Sequence, residues 1–159
     1  MTTIVLLAED VLTDHDVVRV VQLHAPDPLR VHVVVPVDTE HNALIETLDE
    51  VALGRLKDAV RGRAGETPEQ AEVRARTALD RSVSQLTVAG AETTGDLAGD
   101  DPVPHVCAAV EELDADEVLV LTQPHPVEDA LHRDWASRLR DRLQRPVLHA
   151  ISGTDQVVS

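Results

Sequence analysis

The feature that most constrains this chain is a set of short apolar runs kept apart by helix-period segments. Ile4-Val5-Leu6-Leu7-Ala8, Val31-His32-Val33-Val34-Val35, Glu117-Val118-Leu119-Val120-Leu121-Thr122 and Pro146-Val147-Leu148-His149-Ala150-Ile151 read as strands. Their continuous apolarity is that of strands covered on both faces. Strands separated by helices cannot pair as hairpins, so the sheet is expected to be predominantly parallel with right-handed crossovers. The fold class that follows is α/β, an open sheet with helices on both faces.

The connecting segments carry their own punctuation. Thr13 is an N-cap with Asp16 three residues on, and Val17, Val20, Val21 and His24 share one helical face before Pro26 and Pro28. Leu44, Leu48, Val51, Ala52 and Leu56 recur at helical spacing until Gly62 and Gly65 interrupt. A second helix restarts at Thr67-Pro68-Glu69-Gln70, a capping box with proline at the first helical position. Ala71, Ala75, Ala78, Leu79 and Val83 form its apolar face. Leu86-Thr87-Val88-Ala89 is read as the third strand, followed by a polar loop over Glu92–Asp101. Pro102–Leu113 is a helix with Val103, Val106, Cys107 and Val110 inward, and a last helix lies around Trp135, read as an anchor at its start. The pattern is one domain, 1–152, with a C-terminal tail, 153–159.

Composition removes several function classes. The formal net charge is −15, from 29 acids against 14 bases, and Lys57 is the only lysine. Such a surface repels phosphate backbones and anionic membranes. Aromatic content is 1%, with no Phe or Tyr, so base-stacking platforms are lacking and the core must be aliphatic. The N-terminus has no basic leader and Ile4–Ala8 is too short to span a bilayer, which predicts a cytoplasmic protein. Cys107 stands alone, so no intrachain disulfide or cysteine metal cluster is expected.

Taken in order, Ile4–Glu9, Val31–Val37, Gly95-Asp96, the Pro102–Leu113 helix, Ala115-Asp116-Glu117-Val118-Leu119-Val120-Leu121, Trp135–Leu143 and Pro146-Val147-Leu148 resemble the universal stress protein family. The resemblance runs over nearly the whole chain. It implies an adenine nucleotide alpha hydrolase-like fold with a five-stranded parallel sheet ordered 3-2-1-4-5. It also implies a homodimer through the last strand, where Val147, Leu148 and Ile151 offer an apolar edge.

The family divides into members that bind ATP and members that do not. Where binding members have an Asp after the first strand, this chain has Glu9. Their pattern Gly-x2-Gly-x9-Gly-Ser/Thr falls on Thr122–Asp134, which holds no glycine, and Gln123-Pro124-His125-Pro126 stands in the loop. Glycine lets a backbone approach an anion, and each proline removes a donor. Arg133-Asp134 occupies the place of the last Gly-Ser/Thr, and Asp10, Asp14 and Asp16 add negative charge at the same edge. Each like-charge contact at 4 Å near a surface costs about 4 kcal/mol before screening. Were a nucleotide site retained, its residues would be Glu9, Val35, Thr122, His125 and Arg133.

Other chemistry finds less support. His125, Glu128, Asp129 and His132 could hold Zn²⁺ or Mn²⁺, but a solvated polar loop ahead of a helix explains them more simply. Glu9, Asp10, Asp14 and Asp16 lack the spacing of an EF-hand, and Asp14 and Asp16 suit a helix N-terminus. Cys107 reads as a small core residue, and Ser82 and Ser84 sit in no nucleophile elbow. No Walker, Rossmann or His-x-Gly-His signature occurs. No metal and no cofactor are therefore expected. The sequence predicts a non-enzymatic, stress-associated regulatory or interaction module that does not bind ATP in the family's usual way. The alternative is an AMP or ATP sensor at the carboxyl edge of the sheet, and metal-dependent hydrolysis ranks last.

Overall fold

The computed structural model describes residues 1–37, 67–124 and 128–158, with only the backbone of 128–134. In chain order the elements are β1 (Thr2–Ala8), α1 (Asp14–His24), β2 (Leu29–Pro36), α2 (Pro68–Val88), β3 (Glu92–Ala98), α3 (Val103–Leu113), β4 (Glu117–Thr122), α4 (Glu128–Arg142), β5 (Val147–Ile151) and β6 (Val157–Val158). The helix read around Leu44–Leu56 lies outside the described residues.

One sheet runs β3-β2-β1-β4-β5-β6. The first five strands pair in parallel in the expected order. A sixth, β6, joins antiparallel, with His149 opposite Val158 and Ala150 opposite Val157. That strand lies in the segment read as a tail. It is fastened there by Arg19 Nη1, which donates to the Thr154 carbonyl at 2.6 Å, and by Ile151 N–H to the Gln156 carbonyl at 3.1 Å.

Two aliphatic cores sandwich the sheet. Ile4, Leu6, Val31, Val33 and Val35 meet Val17 and Val20 of α1 and Ala75, Ala78, Leu79 and Leu86 of α2. On the opposite face Val5, Leu7, Val34, Val118 and Val120 meet Val103, Val106 and Val110 of α3 and Trp135 and Leu139 of α4. Alternate residues of one strand supply the two faces, which is why the runs are apolar throughout. Trp135 is a buried anchor, as its size suggests, but it sits in the middle of α4 rather than at its start.

The third strand is the main correction. Leu86–Val88 is the last turn of α2 and Ala89 its C-cap, because Ala75, Ala78, Leu79, Ser82 and Leu86 continue a helical stripe of buried positions. Val88 is 87% exposed, which no buried strand would allow. The helix ends in a Schellman motif: Gly90 at φ +99° donates to the Thr87 carbonyl, and Ala91 donates to that of Leu86. The strand is instead the polar stretch Glu92–Ala98, at the sheet edge. Gly95 is required there, since a Cβ would lie 2.5 Å from Leu79 Cδ1 and 2.9 Å from the Val33 carbonyl oxygen.

Candidate functional site at the carboxyl edge

In an open α/β sheet the ligand crevice lies at the carboxyl ends of the strands where the order reverses, here between β1 and β4. Phosphate sites at such a crevice are made from backbone N–H groups and a helix N-terminus. What matters is where those N–H groups point.

Glu9 follows β1 and is buried. Its N–H donates to the Leu121 carbonyl, and its Oε2 accepts the N–H of Gln123 at 2.9 Å. The acid thus stitches the end of β1 to the loop leaving β4. Asp10 Oδ1 accepts the N–H of Val11 at 2.7 Å, and Ser82 Oγ accepts that of Leu12 at 3.2 Å. Ser82 therefore has a structural task inside α2, in keeping with its lack of an elbow.

The helix N-terminus is closed in the same way. Asp16 has no exposed surface, yet its carboxylate accepts the N–H of Thr13, the hydroxyl of Ser152 and the N–H of Gly153. Thr13 Oγ1 accepts the N–H of Asp16 at 3.1 Å, completing the capping box read from the sequence. Negative charge at the positive end of a helix is favourable, and burial makes these charge-assisted bonds hard to replace. Ser152 N–H goes to the Thr122 carbonyl at 2.8 Å. Of the edge's donors, the N–H groups of Val11, Thr13, Gln123 and Gly153 all end on carboxylates of this chain.

The residues read as a retained nucleotide site are distributed as follows. Glu9 is at the crevice and bound to the β4 loop. Val35 is fully buried near the end of β2, within the core under α1 and α2. Thr122 is buried, its hydroxyl hydrogen-bonded to His149 Nε2 at 2.9 Å. His125 lies outside the described residues, as do the side chains of Arg133, Glu128, Asp129 and His132.

Two other ionisable groups have clear electrostatic causes. The Arg138 guanidinium, bonded to both oxygens of Asp101 at 3.0 and 2.7 Å, holds that carboxyl below its usual range despite partial desolvation, and the N–H of Val103 adds to the effect. Burial pushes the Cys107 thiol up, although Arg142 and Arg138 pull the other way. Sequence reasoning missed the partnership of Asp16 with Ser152, 136 residues apart, and that of Thr122 with His149. It also passed over a cluster of His32, Asp96 and His105 drawn from β2, β3 and α3. His32 interrupting an otherwise apolar strand was the one visible signal.

Solved structures share this architecture. The universal stress protein from Archaeoglobus fulgidus in complex with dAMP aligns with a TM-score of 0.51 at 18% identity, over 94% of this chain and 97% of that one. Another structure of universal stress protein from the same organism gives 0.50 at 18% identity, over 94% and 93%. Hypothetical protein MJ0577, the subject of a structure-based assignment of biochemical function, gives 0.55 at 12% identity, over 98% and 99%. No protein-family model and no curated protein sequence matches the chain. At identities this low the structural likeness establishes the shared fold alone. Among the described residues, no helix is long and apolar enough to cross a membrane.

Proposed function

On this universal stress protein fold, we propose that the chain is a non-enzymatic, stress-associated regulatory or interaction module that does not take ATP in that family's usual way. One observation carries the reading: among the described residues of the carboxyl edge, the N–H groups of Val11, Thr13, Gln123 and Gly153 are spent on Asp10, Asp16 and Glu9. An entering phosphate would have to displace carboxylates from their N–H groups and then lie beside them. Both steps oppose binding, the first by unpairing the buried carboxylates of Asp16 and Glu9 and the second by like-charge repulsion. The absence of glycine from Thr122–Asp134 agrees with this.

A second reading, an AMP or ATP sensor, is favoured by the dAMP held by the A. fulgidus protein and by the place of Glu9 at the crevice. Calorimetric titration of the purified chain with Mg-ATP, AMP and dAMP separates the two. The proposal expects no heat at millimolar nucleotide, and micromolar binding of any of the three would overturn it.

We also propose a homodimer, but not through a bare β5: β6 covers that strand and Ile151 is buried with its N–H on the Gln156 carbonyl, so the second copy meets the β6 edge instead. The exposed Val157 lies on the open edge of β6, the half-buried Val147 and Leu148 of the neighbouring β5 add apolar surface, and an open strand edge is a pairing template. Light scattering should report twice the 17.3 kDa chain mass. A monomer at working concentration would remove this part of the proposal.

A further inference from the structure

We propose that His32, Asp96 and His105 form a binding site for a divalent transition-metal ion of the zinc class. Each residue offers one ligand atom, and the three atoms lie within 4.8 Å of one another. Asp96 Oδ2 is 3.2 Å from His32 Nε2 and 3.7 Å from His105 Nε2. Tetrahedral zinc, with bonds near 2.0–2.1 Å, puts neighbouring ligand atoms about 3.3 Å apart. The two separations from Asp96 bracket that value, all three ligand atoms lie within 4.8 Å of one another, and the partly exposed His105 ring has room to close on a shared ion.

The placement comes from three elements on one face of the sheet. His32 lies on β2 beside Val34, toward the core under α3, and Asp96 is opposite Val34 on β3. The first turn of α3 brings His105 over them. His32 is only 9% exposed in a strand that is otherwise apolar in that stretch, and such a group needs a polar purpose. Its Nδ1 lies 2.7 Å from Thr94 Oγ1. A ring donating Nδ1–H to that hydroxyl leaves its Nε2 lone pair aimed at the Asp96 carboxylate. In that tautomer the ring lone pair and the carboxylate are two acceptors that a shared cation would bridge.

An outer partner on the far nitrogen is also how metal-bound histidines are oriented. Two imidazoles and one carboxylate suit zinc, cobalt or nickel, rather than the all-oxygen shells of magnesium and calcium. Asp96 and His105 are partly exposed, so a water molecule can complete the tetrahedron. Bound there, the ion would clamp the edge strand β3 and the helix α3 to the sheet.

The test is competition of the metal-stripped full chain against a chromophoric chelator for Zn²⁺. One zinc per chain is expected, with a raised melting temperature on loading. Asp96→Asn and His105→Ala should each weaken zinc at least about tenfold, while leaving the metal-free melting temperature unchanged. His105→Gln, closer in bulk, serves if the alanine variant melts lower. Thr94→Val should also weaken zinc through the orientation of His32, and His125→Ala with His132→Ala should not. The proposal is overturned by no zinc uptake at micromolar metal, by undiminished uptake in the Asp96 and His105 variants, or by uptake lost only in the His125/His132 variant.

Discussion

At the scale of single residues, carboxylates do structural work that a ligand would otherwise claim. Asp16 is the clearest case, since it caps its own helix and holds the segment after β5 through Ser152 and Gly153. Asp16→Ala should therefore strand three donors and cost about 3 kcal/mol of stability. Thermal unfolding would read this as a fall of roughly 10 °C for a domain of this size. A fall of a degree or two would mean that water replaces the carboxylate freely. The capping box was legible because its partners lie three residues apart, whereas the tie to Ser152 had no local signal. Glu9 was likewise readable as an edge residue, but not as the acceptor for Gln123. Cys107 makes a second residue-scale prediction. Burial raises its thiol pKa, so less thiolate forms at neutral pH and alkylation at pH 7.5 should run slower than for free cysteine. Reaction at or above the free-thiol rate would contradict the raised pKa.

At the scale of elements, α2 and β3 show where a pattern misleads. A β-branched stretch ending in Ala89 resembles a strand, but the buried stripe through Ser82 and Leu86 keeps it helical. Glu92–Ala98 resembles a loop because one side of this edge strand is wet and Gly95 gives way to α2. Gly95→Ala would push Leu79 and the Val33 carbonyl, and should lower stability by about 2 kcal/mol in urea unfolding. An unchanged midpoint would mean that α2 lifts from the sheet at little cost. β1, β2 and β4 were readable because their apolar runs are long, unbroken and buried on both faces. The link between α3 and α4 carries a pH prediction. Asp101 has a lowered pKa through Arg138, so its stabilising contribution is present above the ordinary value near 3.8 and fades as pH falls through the lower folded value. About half of the Asp101 side chain is exposed, so Arg138→Ala should cost under about 1 kcal/mol at pH 7. The gap between variant and native protein should narrow in unfolding curves below pH 4, and a gap that widened there would contradict the assignment.

At the scale of the whole molecule, the parallel order of the sheet followed from strands alternating with helices. The sixth strand did not, because two residues of β structure leave no periodicity to read. It forms because Arg19, Asp16 and the Gln156 carbonyl hold the last residues against α1 and β5. In the proposed reading the net charge of −15 and the carboxylate-held N–H groups of the carboxyl edge would act in the same direction, one at long range and one in contact, against a triphosphate. The most direct measurement follows the amide resonances of Val11, Thr13, Gln123 and Gly153 by NMR while Mg-ATP is added to millimolar concentration. With their N–H groups held by Asp10, Asp16 and Glu9, these resonances should stay where they are. Saturable shifts of the four together would show that a phosphate displaces the carboxylates, and that the edge is a nucleotide site after all.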